Sequence, residues 1–88
     1  MSTKPPSSVN EFPPDSLEKI AYGSVQSIPT QEPNDRYRLG FQVWAWLKER
    51  KGPLADVLRI SGARILVSKD EAVKTIEAHL NANGIQTL

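Results

Sequence analysis

The chain has 88 residues, 39% of them hydrophobic and 24% charged, with a net charge of +1 and no cysteine. That length is one domain with a small core, and the composition is that of a globular protein, not of a wholly disordered one. The absence of thiols excludes disulfides, thiolate metal sites and thiol catalysis, and in so small a domain it points to a reducing compartment, the cytoplasm.

Residues 1–14 hold four of the seven prolines and little that could be buried. They read as a disordered tail with no signal-peptide character, leaving residues 15–88 as the folded domain. The Pro5-Pro6 and Pro13-Pro14 pairs could adopt polyproline II, but no PxxP motif accompanies them. Asp15 followed by Glu18 predicts a capping box that starts a short helix over Ser16 to Tyr22, with Gly23 ending it. Ser24 to Ile28 alternates weakly, as a short edge strand would, and Thr30 to Asp35 reads as a loop.

The segment Arg36 to Leu47 carries the densest pattern. Its odd positions, Tyr37, Leu39, Phe41, Val43, Ala45 and Leu47, are all apolar, against two of six at the even positions. That period of two, with Tyr, Phe, Val and Trp in the run, favours a strand. A helix remains the competing reading, because Leu47 to Arg50 are good helix formers.

After a charged turn at Lys48 to Pro53, two short runs follow, Leu54 to Ile60 and Ala63 to Ser68. Ser61-Gly62 between them suggests a tight hairpin in which Arg59 faces Arg64. The alternative is a helix from Pro53 that buries Leu54, Val57 and Leu58 and is capped by Gly62. The last element is a helix over Lys69 to Asn83. Ser68 and Glu71 form its capping box, Ala72, Val73, Ile76 and Leu80 its apolar stripe, and Asn83-Gly84 its end. Ile85 to Leu88 could return as an edge strand. The expected fold is therefore α+β, a small antiparallel β-sheet of three to five strands with the C-terminal helix packed on one face.

No constellation of catalytic groups is visible. The single histidine, His79, sits late in the last helix, and neither a metal-ligand set nor a phosphate-binding glycine loop is present. No cofactor is expected, and the longest apolar run, Val43 to Leu47, is far too short to span a bilayer.

Charge is unevenly spread: residues 1–33 carry −2 and residues 34–88 carry +3. On a strand, Trp44 and Trp46 would project side by side among Arg36, Arg38, Gln42 and Lys48, with Arg59 and Arg64 added by the hairpin. Flat aromatics flanked by arginines suit single-stranded nucleic acid, through base stacking and phosphate pairing, so the leading expectation is a non-catalytic binding or regulatory module for nucleic acid. The same mixture suits a protein partner, as an adaptor or inhibitor or in a homodimer, because Trp and Arg dominate interface hot spots. Core packing of the tryptophans under the N-terminal segment is the plainer reading. A helix-turn-helix reader of duplex DNA would need Arg36–Arg50 and Pro53–Ile60 to be helical, and it would then present a last helix carrying Asp70, Glu71 and Glu77.

Overall fold

The structure, a computed structural model, describes residues 16–87. Among these are four helices, α1 (Leu17–Gly23), α2 (Pro33–Glu49), α3 (Asp56–Ser61) and α4 (Lys69–Ala82), and no sheet. The only pairing of extended backbone among the described residues is an isolated antiparallel bridge between Thr30 and Ile65. The expected antiparallel sheet is therefore replaced by a helical fold. The tail over residues 1–14 and the Asp15 half of the first capping box lie outside the described residues.

Ser16 starts α1 by accepting the Lys19 N–H at 3.1 Å, satisfying one of the donors a helix leaves open at its N-terminus. The edge strand expected over Ser24 to Ile28 is a run of tight turns. Val25, Gln26 and Ile28 each donate to the carbonyl three residues back. Val25 and Ile28 are thereby both buried, at a spacing of three where a strand would need two.

The largest correction falls on Arg36 to Leu47, which lies wholly inside α2. Pro33 opens that helix, and the Glu32 N–H donates to Asp35 Oδ2 at 3.2 Å. Leu39, Val43, Trp46 and Leu47 are buried along one side together with Gly40, the spacing of an amphipathic helix. The odd-position pattern was one of composition and not of burial. Tyr37, Phe41 and Ala45 belong to it, yet none is buried and Phe41 is 51% exposed. Arg50 ends α2 in the left-handed region at φ 55° and donates its N–H to the Trp46 carbonyl.

The predicted hairpin gives way to the helical alternative. Leu54, Val57 and Leu58 are buried, and Gly62 caps α3 at φ 67°, a conformation glycine adopts without steric cost. The following segment keeps its expected alternation, with Ala63, Ile65 and Val67 half-buried and Arg64 and Leu66 exposed. Its partner, however, is the Pro29–Gln31 stretch, through Gln31 N–H to the Arg64 carbonyl and Leu66 N–H to the Pro29 carbonyl, both 2.9 Å.

α4 forms almost as the sequence implies. Ser68 accepts the Glu71 N–H at 3.2 Å, and Ala72, Ile76 and Leu80 are fully buried. The Ile85 N–H closes the helix on the Leu80 carbonyl at 2.9 Å, with Gly84 at φ 80° between, and Ile85 packs against the core. No strand follows in the described residues.

α2 is the centre of the fold, packed by α1 on one side and α3 on another, while α4 meets α1. Gly40 permits the α1–α2 approach. A Cβ placed there would stand 2.5 Å from Tyr22 Cδ1 and 2.9 Å from Cε1.

Candidate functional site

Consecutive residues of a helix point about 100° apart, so residues two apart point to nearly opposite sides. The helical form of α2 therefore disperses the face that a strand would have assembled from Arg36, Arg38, Gln42, Trp44, Trp46 and Lys48. Trp46 is turned into the core, 7% exposed, and its indole N–H donates to the Gly52 carbonyl at 3.1 Å. Trp44 stays half-buried at the edge of the outer face, where Lys48 Nζ stands 3.8 Å above its ring and Phe41 lies 5.6 Å away, centroid to centroid. Arg36 is half-buried and donates from Nη2 to the Ile28 carbonyl at 3.3 Å.

Arg59 and Arg64 do not oppose one another. Arg59 pairs with Asp56 on its own helix at 3.8 Å. Arg64 reaches Glu32 Oε2 at 2.9 Å and the fully buried Asp35 at 3.3 Å. The hydrogen bond to Glu32, followed by the charge of Asp35, raises the Arg64 pKa and keeps its guanidinium cationic. Arg38 approaches the other Asp35 oxygen at 3.6 Å. Asp35 thus ties the start of α2 to the extended 63–67 segment, a structural role for two of the arginines expected to meet a ligand.

The structure instead gathers a different set of residues. Tyr22, Tyr37, Arg38, Phe41, Gln42, Ile60 and Ser61 line a shallow hollow of about 330 Å³. A second hollow of about 170 Å³ continues past Gln42 and Ile60 to Ala45, Glu49, Lys51 and Asp56. Tyr22 and Tyr37 meet edge to face at 6.2 Å on one border, and Phe41 and Ile60 leave 51% and 54% of their surfaces exposed. Of the eight residues expected to bind a ligand, Arg38 and Gln42 lie in the first hollow, while Trp44 and Lys48 stand beside it on α2. Trp46 touches the second hollow from the core, and Arg36, Arg59 and Arg64 line neither.

Tyr37, Phe41 and Ile60 were missed as site residues. The signal that finds them is the i, i+4, i+8 stripe Tyr37–Phe41–Ala45, which on a helix runs along the side opposite the buried Leu39–Val43–Trp46 stripe. A surface that pairs exposed aromatic and aliphatic groups with one arginine and one amide can hold a complementary apolar surface and orient it through those polar groups.

Among the described residues no group of three His, Cys, Asp or Glu side chains could hold a metal ion, and no helix is long and apolar enough to cross a membrane. His79 packs against the end of α1, where a Cβ on Gly23 would come within 3.2 Å of its Nε2.

Tyr22, which lines the first hollow, has its pKa raised above the ordinary 10.0, chiefly by burial and then by the nearby Glu18 and Tyr37. The unfolded chain therefore loses this proton first. The stabilising contribution is complete below about pH 10 and is lost as pH rises through the folded-state value. Urea midpoints measured from neutral to strongly alkaline pH are expected to fall more steeply for the natural chain than for Tyr22→Phe. The comparison cancels the lysines that titrate in the same range.

The sequence matches no known family model, and no curated protein and no solved structure is similar to it.

Proposed function

We propose that this domain is a non-catalytic protein-binding module, acting in the cytoplasm, whose working surface is the outer face of α2 together with Ile60 of α3. The carrying observation is Phe41, 51% exposed in an apolar hollow that Ile60 borders at 54% exposure. Large apolar side chains grouped on a surface mark interaction sites, whereas single ones carry no meaning. Arg38 and Gln42 supply polar contacts at the border, and aromatic residues with arginine are what interface centres favour.

Nucleic acid ranks behind a protein partner because the arginines expected to meet it have partners within the chain. Each of the five arginines has an intramolecular partner: Ile28 for Arg36, Asp35 for Arg38, Gln86 for Arg50, Asp56 for Arg59, and Glu32 with Asp35 for Arg64. The stacking platform of paired tryptophans is also absent, since Trp46 is buried. Both helices that a helix-turn-helix reader requires are present. The helix after them, however, carries Lys69 and Lys74 against Asp70, Glu71 and Glu77, which is poor for a phosphate backbone.

The test compares the natural chain with the Phe41→Ser, Ile60→Ser double variant as baits for proteins from a cell extract, each captured protein then being purified and rebound. Both side chains are half exposed, so the variant should keep its melting temperature within a few degrees. A protein bound by the natural chain and lost at least about 10-fold by the variant supports the reading. Equal binding by both would move the working surface elsewhere.

A further inference from the structure

The geometry points to a second copy of this chain as the occupant of that face, with the two α2 helices packed antiparallel about a two-fold axis at the level between Val43 and Trp44. This rests on the protein-binding reading and names the partner. A two-fold axis there brings each residue opposite the one whose number completes 87. Arg38 then meets Glu49 of the other copy, twice by symmetry, and Gln42 meets Ala45.

These four residues share the outer arc of α2, and Arg38 to Glu49 spans three turns, about 16 Å. A parallel arrangement would set Arg38 against Arg38 and Glu49 against Glu49. The charges therefore choose the antiparallel one. Both reach the surface: the Arg38 side chain is 56% exposed although it stands 3.6 Å from Asp35 Oδ1, so its guanidinium would be shared between Asp35 and the other copy's Glu49, and Glu49 is exposed and forms no ion pair among the described residues. Shape agrees with charge. Phe41, at the level of the other copy's Trp46, which is turned into its core, comes to lie beside that copy's Ala45, whose small side chain leaves room for a phenyl ring, and the exposed Ile60 borders the same seam. Because the same patch serves both copies, the contact is isologous and closes at two. One helix face and a short flanking helix per copy lie at the small end of specific interfaces, about 1,200 Å² in total. The expected dimer is accordingly reversible, with a Kd in the micromolar range.

Sedimentation equilibrium of the full chain across that concentration range tests the proposal. Arg38→Glu alone and Glu49→Arg alone should each weaken the dimer at least about 10-fold, because each places like charges at two symmetric contacts. The double variant restores the pattern with signs exchanged and should recover most of the affinity. Phe41→Ser should leave a monomer with an unchanged melting temperature. Three results would overturn the inference: a natural chain that stays monomeric at every concentration, a dimer indifferent to both charge reversals, or a double variant no better than the singles. A monomer with cross-links between Lys4 and Lys48 would assign the face to residues 1–15 of the same chain instead. Protein capture that still depends on Phe41 and Ile60 in a monomeric chain would leave the protein-binding reading standing and remove only the dimer.

Discussion

Trp46→Ala is expected to lower the unfolding free energy by about 3–5 kcal/mol, a large share of what a domain of this size possesses. The indole is 7% exposed within the main core cluster, and its N–H holds the Gly52 carbonyl. Truncation therefore leaves both a cavity and a half-buried acceptor without its donor. Its ring also lies 4.8 Å beneath the Arg50 guanidinium, at the residue whose left-handed backbone ends α2. Trp44→Ala removes a half-buried ring at the edge of the outer face and should cost about 1 kcal/mol, the ordinary figure for a partly exposed position. Urea unfolding of the two variants side by side gives the contrast. Equal losses would mean that the two rings share one environment, as they would on a strand with both faces covered.

Gly40→Ala is the second large effect. In a helix interior, alanine is favoured over glycine by about 1 kcal/mol, so helix propensity alone predicts stabilisation. The added Cβ would stand 2.5 Å from the ring of Tyr22, which is itself buried and set edge to face against Tyr37. Retreat of the ring would break its edge-to-face contact with Tyr37, and the overpacking outweighs propensity for a net loss of about 1–3 kcal/mol. Pairing Gly40→Ala with Tyr22→Leu should recover part of that loss, because the two changes share one contact and are not additive. A stabilised Gly40→Ala variant would mean that α1 and α2 are not in close approach there.

The elements with local start and stop chemistry were legible from sequence. Ser68 with Glu71, and Gly84 before Ile85, placed α4 within a residue of its observed end, and Gly62 marked the end of α3 once the helical alternative is followed. The sequence disguises α2 for a physical reason. Tyr37 and Phe41 lie on its outer face while Trp46, at an even position, is buried, so apolar residues occupy most of its circumference and hide the 3.6-residue period. The β preference of Tyr, Phe, Val and Trp, a weak prior, then tipped the reading towards a strand. The site followed the same error. Arg38 and Gln42, expected on the binding face, also line the hollow, because polar side chains reach the surface in either secondary structure. Phe41 was lost because a strand would have buried it under the last helix, and Ile60 because the hairpin register turned it inward. The ties from Arg64 to Glu32 and Asp35 bridge about 30 residues of chain, a separation over which no local pattern carries information.

The claim that the outer face of α2 serves proteins rather than nucleic acid is tested most directly through Trp44, the ring at its edge. A Trp46→Phe variant that retains its helical circular dichroism reports from Trp44 alone. Its acrylamide quenching would be measured at rising protein concentration, and its emission with a mixed single-stranded oligonucleotide at low and moderate salt. The account predicts that quenching declines as the protein associates and that the oligonucleotide leaves the emission unchanged. Emission quenched by the oligonucleotide, with an affinity that falls steeply as salt rises, would contradict it.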